Sequence, residues 1–563
     1  MRNIVSQYDT PGVSLESKES GIQEKEEIMH KTRRATIGII MIMGLFVMGP
    51  AYDPAFGAQE LAKEQVVVTG LKAGDIGTID PHGGIVLQDR PLMLQIYGAL
   101  VSHPIGNVSS PTFEPDLASK WEVSPDKLTW TFHLRKGVQW HWGYGEVTSE
   151  DIVYSLNRVK NSKASAYRGT YNNFKEVKAI DKYTVQIITA KPDPFLLTKV
   201  ANYYGGYIVC KKALEKAGAF DRAVAPQKEE VIGTGLFKFV EYKPKDKIVL
   251  VRNDEYWEGK PIIEGLVFRY IASDGARELS LLKGEIATYN GLHDQAWLKH
   301  MMSKGIILSP MGPPDLKALY FNLKLKPFDD KRIREAFAYG IGQQAIMDMQ
   351  GKDISNYCTS PVPSGTYGHI DAGWGKYNRD PEKAKKLLAE AGFPNGLPVK
   401  LFMSTGAWYL DKFVVYQNLL KECGINLDMT VVDHTAYIQK VNQGLNPIVI
   451  WGSQLPLATY WLRSFYHTES AIGTAKGMQN FMSYSNPALD KLIEVAESTF
   501  DEKAQLDALA KAQRMVVEDL PAIPSIETYV PSIRAPWLEL GYEPKSGFNW
   551  THQIGLQTKI LKH

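Results

Sequence analysis

Residues 128–135 read Leu-Thr-Trp-Thr-Phe-His-Leu-Arg. Large apolar and polar side chains alternate with a period of two in this stretch, which is typical of a β-strand that buries one face. Similar short apolar segments recur at residues 183–188, 248–251 and 266–271. The sequence therefore predicts several strands of this kind, each with one face toward a core.

Helix signals lie between the strand signals. Thr148 and Asp151 have the spacing of a capping box ahead of an apolar run, and Asp380 before Pro381 is typical of an N-cap followed by the first helical residue. Asn486 before a proline opens another predicted helix, and residues 501–519 continue with helical periodicity. Strands and helices that mix without a strict repeating unit predict an α/β fold.

The length and charge of the chain limit its architecture and its partners. Single hydrophobic cores stop growing at roughly 250 to 300 residues, and this chain has 563 residues. We therefore expect at least two lobes, joined by short chain crossings of the kind that form a hinge. Lysine and arginine number 64 against 62 for aspartate and glutamate, which excludes a broad electrostatic attraction to nucleic acid or anionic lipid.

Residues 1–58 are predicted to be a signal peptide with a leader. Basic residues precede an uncharged apolar run over residues 35–49, and Ala55 and Gly57 place small residues at positions −3 and −1 of a cleavage site. The run is shorter than the roughly 20 residues that a membrane-spanning helix needs. We expect a periplasmic protein exported by a cleaved signal peptide, with an uncleaved anchor as the alternative and Met29 as an alternative start.

The cysteines do not suggest a disulfide framework. Cys210, Cys358 and Cys423 are far apart in the sequence and odd in number, so disulfides are excluded as the main source of stability. We expect three buried thiols, with a single bridge between two of them as the alternative.

Several short sequence blocks occur in order along the chain. They lie at residues 77–82 (Gly-Thr-Ile-Asp-Pro-His), 96–101, 115–122, 132–138, 148–151, 233–238, 252–257, 321–322, 330–337 and 484–490. In these blocks the sequence resembles the family 5 extracellular solute-binding proteins, which include the oligopeptide-, dipeptide- and nickel-binding proteins of ABC importers. The resemblance runs from about residue 64 to about residue 530.

The resemblance implies a two-lobed periplasmic binding protein fold of class C, similar to type II. Lobe one would comprise residues 59–322 and 525–563, with an extra subdomain at about residues 106–229. Lobe two would comprise residues 323–524, and the chain crossings would fall near Asn322 and Pro524.

The resemblance also implies a non-catalytic function. The protein would be the substrate-binding component of an ABC importer, which captures a peptide or a peptide-sized compound by lobe closure and delivers it to the permease in the inner membrane. We expect a monomer that needs no cofactor and binds no nucleic acid. One alternative is a ligand sensor that docks on a chemoreceptor, and another is a secreted glycosidase.

The ligand-binding residues differ from those of the peptide binders at one position. In that group a Trp-x-x-Asp stretch of lobe two places a carboxylate on the terminal ammonium of the peptide, and the matching stretch here runs from Trp451 to Gln454. Gln454 offers a carbonyl oxygen but no charge, so a buried ammonium would keep a desolvation cost. Asp89 aligns with an acidic ligand-facing position of the oligopeptide binders, and Arg90 offers a fork for a carboxylate or phosphate.

Aromatic residues supply further candidates for the ligand site. Trp408, Tyr409 and Trp451 fall in lobe-two segments that would line the cleft, where flat faces can hold a planar or sugar-like group, and core packing is the alternative. Tyr320 and Asn322 lie at a predicted crossing, where they could sense closure or serve sheet packing and a turn.

The sequence contains no pattern of a catalytic or metal centre. It has no His-Glu-x-x-His motif, no Cys/His cluster and no Gly-x-Ser-x-Gly motif. His82, in the Asp-Pro-His block, is assigned to a turn in preference to a metal site. Gly233 and Gly235 flank Thr234 without the Lys-Ser/Thr of a phosphate loop, so we expect them to form a tight turn between strands.

Overall fold

The computed structural model describes residues 60–84, 89–109, 111–202, 205–455, 457–474, 479–547 and 552–563, without the side chains of residues 407 and 408. The predicted signal peptide therefore lies outside the described residues. Residues 59–563 form one compact unit. The described chain is a mixed α/β structure, which confirms the predicted fold class.

The secondary-structure elements are numbered in chain order. The strands are β1 (Val66–Leu71), β2 (Val101–Ser102), β3 (Glu114–Pro115), β4 (Ala118–Val123), β5 (Thr129–Leu134), β6 (Phe174–Asp181), β7 (Thr184–Thr189), β8 (Phe237–Lys243), β9 (Lys247–Arg252), β10 (Gly265–Tyr270), β11 (Thr288–Asn290), β12 (Ile307–Phe321), β13 (Ser355–Asn356), β14 (Leu397–Ser404), β15 (Ile425–Val432), β16 (Ile448–Ser453), β17 (Ala522–Arg534), β18 (Leu538–Glu539) and β19 (Lys559–Ile560). The helices are α1 (Arg90–Ile96), α2 (Ser149–Asn161), α3 (Leu196–Lys199), α4 (Lys211–Lys216), α5 (Asp274–Leu282), α6 (Gln295–Ser303), α7 (Lys331–Ile341), α8 (Gln344–Gln350), α9 (Pro381–Glu390), α10 (Ala407–Lys421), α11 (His434–Asn442), α12 (Ala458–Tyr466), α13 (Pro487–Ser498) and α14 (Glu502–Asp519).

The local sequence signals account for many of these elements. The alternating stretch forms β5, in which every second residue is buried. Thr148 and Asp151 form the predicted capping box at the start of α2, where Thr148 N donates to Asp151 Oδ2 at 3.0 Å. Asp380 and Asn486 accept backbone N–H groups at the starts of α9 and α13. These side chains satisfy N–H groups that the helices leave without internal partners.

A large sheet runs through the body of the molecule. Among the described residues it has nine strands in the order β16-β12-β17-β11-β1-β10-β9-β8, with β13 beside β17. Its two longest strands, β12 and β17, pair antiparallel from Ile307 opposite Arg534 to Tyr320 opposite Ala522. The register of this pair is irregular between Met311 and Asp315.

The buried apolar side chains form separate cores. One core contains residues between Leu316 and Ile526, and a second, around the sheet β4-β5-β7-β6, contains residues between Leu100 and Ile232. A third joins residues of the first part of the chain, from Val67 onward, to the C-terminal segment. The end of β12 therefore packs in the core between Leu316 and Ile526, whereas the strands that precede β12 pack in other cores. The exact lobe boundaries stay a prediction.

Gly233 and Gly235 let the backbone pack closely against the end of α1, and they do not form a tight turn. Neither glycine has a positive φ, so other residue types could adopt the same backbone conformation. A Cβ at Gly233 would lie 1.9 Å from the carbonyl oxygen of Ile96, and one at Gly235 would lie 2.5 Å from that of Gln95. The turn that we predicted from these glycines is therefore wrong, because the constraint is space beside the end of α1.

The three cysteines are buried free thiols, as predicted. Within the described residues, no helix combines the length and the apolar character needed to cross a lipid bilayer.

A buried ion pair joins the loop after β1 to α2. Arg158 donates to both carboxylate oxygens of Asp80, at 2.9 and 2.6 Å, and both side chains are fully buried. His82 contacts the same guanidinium through Nδ1 at 3.0 Å, and its Nε2 lies 2.9 Å from the carbonyl oxygen of Tyr207. Burial, reinforced by the charge of Arg158, lowers the pKa of His82 to about 4, so the ring is neutral. The contacts of His82 are those of a structural residue.

Replacing Arg158 with methionine should destabilise the protein strongly. The change leaves the Asp80 carboxylate buried without its cation, and breaking a buried pair in this way costs about 3–5 kcal/mol. We expect a clear decrease in the apparent melting temperature. Lys503→Met is the matched control, because Lys503 forms an exposed helical pair with Asp507, worth about 0.3–0.5 kcal/mol. Equal melting temperatures for the two variants would contradict the assigned role of Arg158.

Candidate ligand-binding site

Asp89 and Arg90 lie at the start of α1 and are engaged within the protein. The Asp89 carboxylate accepts the N–H groups of Gly77 at 3.2 Å and Thr78 at 2.9 Å. Burial raises the pKa of Asp89, and these two donors oppose the shift. Arg90 is largely buried. Burial raises the pKa of the Tyr167 hydroxyl, and the neighbouring Arg90 guanidinium opposes this shift. A ligand contact by Asp89 or Arg90 stays a prediction.

Tyr320 and Asn322 also have partners within the protein. The Tyr320 ring is fully buried and stacks on Phe465, with ring centroids 5.2 Å apart. The Asn322 amide donates to the carbonyl oxygen of Gly444 at 2.8 Å, and its oxygen accepts the N–H of Lys324 at 3.2 Å. These contacts correspond to sheet packing and a turn, and the sensing role of the two residues stays a prediction.

Tyr409 and Gln454 lie close to the middle of β12, whereas Trp451, opposite Ala318, packs against Phe481 on the other face of the sheet from Asp315 and Lys317. Tyr409 lies in the first turn of α10, and the charge of Asp315 on β12, added to burial, raises the pKa of Tyr409 to about 12. Trp451 is on β16, which pairs with β12, and Gln454 Nε2 donates to the carbonyl oxygen of Pro313 at 3.3 Å. The side chain of Trp408, next to Tyr409, lies outside the described residues.

Sequence reasoning missed a charged cluster at the same place, which we call the Asp-Lys-Lys cluster and which consists of Asp315, Lys317 and Lys412. Asp315 and Lys317 are two residues apart on β12 and therefore share one face of the strand. Lys317 Nζ lies 3.8 Å from Asp315 Oδ2 and 2.7 Å from Thr528 Oγ1 on β17. Lys412 lies in the second turn of α10 and is 4% exposed.

The electrostatics of the cluster show that its members interact. Burial and the positive charge of Lys317 together lower the pKa of Lys412 to about 7. Burial raises the pKa of Asp315 to about 6 against the opposing effect of both lysines. The pKa of Lys317 is lowered by burial, which the charge of Asp315 opposes. Three ionisable groups are thus held close together where water can stabilise their charges only weakly.

Gly452 provides the space for the Asp315 carboxylate. Lys317 pairs with Gly452 across β12 and β16. A Cβ at Gly452 would lie 2.4 Å from Asp315 Oδ1, which is far inside van der Waals contact. The absence of a side chain in the second position of the Trp451–Gln454 stretch therefore lets a carboxylate from the neighbouring strand lie against this stretch.

The described residues contain no group of three or more His, Cys, Asp or Glu side chains arranged to hold a metal ion. The middle of β12 instead offers the charged groups of the cluster together with the Tyr409 ring and the Gln454 amide. Such a set can bind a small polar molecule through hydrogen bonds and ion pairs.

Comparison with known proteins identifies the relatives of this chain. Residues 112–471 match the profile of the bacterial extracellular solute-binding proteins, family 5 Middle. The dipeptide-binding protein of Escherichia coli (strain K12) is 28% identical over 76% of this chain and 83% of its own length. The periplasmic oligopeptide-binding protein OppA of Salmonella typhimurium is 26% identical over 93% of this chain and 98% of its own length.

A solved structure is similar over most of the chain. It is the PBP/SBP MoaA of A. tumefaciens R10 in complex with mannopinic acid, which has 34% sequence identity to this chain and a TM-score of 0.75. The similarity covers 89% of this chain and all of that protein.

Replacing Gly452 with alanine should disturb the cluster. The new methyl group would collide with the Asp315 carboxylate, and overpacking of this kind costs about 1–3 kcal/mol. We expect a lower apparent melting temperature. The control is Gly275→Ala in α5, where nothing lies within 4 Å of the added Cβ, so that stability should stay the same or rise by up to about 1 kcal/mol. A Gly452→Ala protein as stable as the control would show that Asp315 does not occupy this space.

Proposed function

Because this chain belongs to the bacterial extracellular solute-binding proteins of family 5, we propose that it is the substrate-binding component of an ABC importer. It captures a small solute between two lobes and delivers it to the permease. The observation that carries this proposal is the family match over residues 112–471, supported by similarity to MoaA over its whole length. Proteins of this family are binding proteins, and we propose that this chain likewise performs no chemistry on its ligand.

Lobe one consists, in this proposal, of residues 59–322 and 525–563, with the extra subdomain at about residues 106–229, and lobe two of residues 323–524. The separate cores support this division. The separate cores also favour a passage of the chain from one lobe to the other within β12 and β17, near the irregular pairing between Met311 and Asp315. This point lies several residues before the crossing that the sequence predicted near Asn322. Two strands that cross together can bend at such an irregularity and act as a hinge.

The ligand lies, in this proposal, against the middle of β12. Tyr409 and Gln454 contribute as the sequence predicts, and the Asp-Lys-Lys cluster adds charged groups. Trp451 lies on the opposite face of the sheet, against Phe481, so a ligand contact by Trp451 stays a prediction. Gln454 donates its amide to Pro313 and carries no charge, so it cannot hold a terminal ammonium as the aspartate of the peptide binders would. A peptide-sized compound fits the range of the relatives, which runs from dipeptide binding to a complex with mannopinic acid.

Export to the periplasm and action as a monomer complete the proposal. The periplasmic OppA proteins among the relatives support the location. The basic residues, apolar run and small residues of the first 58 positions supply the export signal and its cleavage site.

A screen for ligands by thermal shift tests the proposed function. The exported protein is mixed in turn with peptides, sugars, opines including mannopinic acid, and nickel chelates. A ligand at 100 times its dissociation constant stabilises the folded protein by about 2.7 kcal/mol, so at least one class should raise the melting temperature clearly. Native mass spectrometry should show one ligand per chain. Turnover of any of these compounds by the purified protein would contradict a role in binding alone.

Gln454→Asp should create or strengthen binding of peptides with a free N-terminus. The new carboxylate can pair with the peptide ammonium, and a close buried charge pair changes affinity by about 10-fold or more. Gln454→Asn is the control, because it shortens the side chain without adding charge. N-acetylated peptides should show no gain. Tight binding of free peptides by the unaltered protein would overturn the argument that Gln454 disfavours them.

A further inference from the structure

Within the described residues, aromatic side chains of the extra subdomain meet aromatic side chains of lobe two at two places. At the first, the ring of Phe195, just before α3, lies 6.3 Å from that of Tyr460 in the first turn of α12, measured between ring centroids. At the second, the centroids of Phe500 and of Trp130 on β5 are 6.2 Å apart. Aromatic pairs attract one another at centroid distances of roughly 4.5–7 Å. We call these four residues the aromatic clasp.

Phe500 packs against a core that another part of the chain builds. The buried side chains of that core belong to residues 100–232, and the other described side chains packed on it belong to residues 113–257. Lys127 Nζ lies 5.4 Å from the centre of the Phe500 ring, where a cation is attracted to the ring face. Phe500 therefore reaches from the proposed lobe two onto the extra subdomain of lobe one.

The local sequence holds Phe500 in place from both sides. The N–H of Thr499 donates to the carbonyl oxygen of Val495 at 3.1 Å and ends α13. Asp501 accepts the N–H of Ala504 at 3.0 Å and caps the start of α14. Because both caps form within lobe two, the position of the Phe500 ring is set before it meets the subdomain.

Asp193 holds the loop that carries Phe195. Its Oδ1 accepts the N–H of Phe195 at 3.2 Å, and its Oδ2 pairs with Lys199 Nζ at 2.5 Å. Burial and the negative charge of Asp193 raise the pKa of the Tyr460 hydroxyl, which places that hydroxyl beside the same loop. The subdomain therefore presents a fixed loop to Tyr460.

The clasp has the burial of a contact that can open. Phe195, Tyr460 and Phe500 are only half-buried, whereas Trp130 is 5% exposed and belongs to the subdomain core. Separating the four rings would expose apolar surface but would leave each core intact. Both contacts also lie outside β12 and β17, the strands of the proposed hinge. Apolar surface that is covered only when two bodies meet favours the arrangement in which they meet.

We propose that the aromatic clasp forms when the lobes close and stabilises the closed arrangement, so that part of the ligand affinity comes from contact between the lobes. The empty protein is mainly open, and the clasp raises the small fraction that is closed. Since the closed protein is the form that holds the ligand from both lobes, apparent affinity rises in proportion to that fraction. This inference rests on the proposed function, which supplies the two lobes, and goes beyond it by assigning a role to the extra subdomain.

Cross-linking of the empty protein tests the clasp without a ligand. The double variant Phe195→Cys and Tyr460→Cys places two thiols at the first contact, and a short bismaleimide joins them while the lobes are closed. The native cysteines are buried and so are shielded from the reagent. Adding Phe500→Ser removes the second contact and should slow the cross-linking about 3- to 10-fold, the effect of losing one aromatic pair.

Two matched variants control for other effects of the substitution. Phe500→Tyr keeps the ring and should keep the cross-linking rate. Val495→Ser removes an apolar side chain that is 44% exposed on α13 and should also leave the rate unchanged. A contact that never opens would give the same rate with and without Phe500→Ser, together with a lower melting temperature. That result, or an equal decrease in Val495→Ser, would overturn the inference.

Affinity for mannopinic acid, the compound bound in the MoaA complex, tests the consequence for ligand binding. In isothermal titration calorimetry with the exported protein, Phe500→Ser and Phe195→Ser should each weaken binding about 3- to 10-fold. Their effects should multiply in the double variant, because both act on one equilibrium between open and closed protein. Val495→Ser should bind as the unaltered protein does. Equal affinities of the unaltered protein and Phe500→Ser would contradict the inference.

The outcomes separate this inference from the proposed function. If mannopinic acid does not bind, the cross-linking rates alone decide the inference. Rates that Phe500→Ser leaves unchanged overturn the inference, and the proposed function then stands if any compound in the thermal-shift screen binds tightly. If no compound in that screen binds, the proposed function itself fails.

Discussion

The pairing of β12 with β17 is the constraint on which the rest of the structure depends. These two strands run antiparallel over most of their length. One end of the pair lies at a small core that contains Tyr289, Ile306 and Ile533, and the other end lies in the core between Leu316 and Ile526. Backbone hydrogen bonds along the pair hold both cores in one sheet, while the irregular stretch between Met311 and Asp315 interrupts them locally. In the proposed two-lobed arrangement, this irregularity is a place where the two strands would bend.

The position of the charged cluster follows from the same pairing. Asp315 and Lys317 lie just after the irregular stretch, where β16 joins β12 on its other edge. Strands that leave one core for another must pass between them, so side chains at that point face neither core fully. This explains how a lysine and an aspartate can occupy a strand whose other residues are almost all apolar.

The local secondary-structure elements could be predicted well from the sequence, whereas the candidate ligand site could be predicted only in part. The alternation of β5 and the caps Thr148, Asp380 and Asn486 act through near neighbours, so their outcome could be predicted from a few residues. His82 could be assigned to structure, but its partner Arg158 could not be named, because the contact spans 76 positions. Lys317 and Lys412 were missed because a charged residue within an apolar run has the appearance of an exposed strand edge or helix face. Only the assembly of β12, β16, β17 and α10 shows that both are buried beside Asp315.

Solution scattering tests the central claim most directly, which is that ligand binding is registered as closure of two bodies about the β12 and β17 joint. Small-angle X-ray scattering is measured on the exported protein alone and saturated with its tightest ligand from the screen. The account predicts a smaller radius of gyration and a shorter maximum dimension in the saturated protein. Identical scattering curves with and without a tightly bound ligand would contradict it.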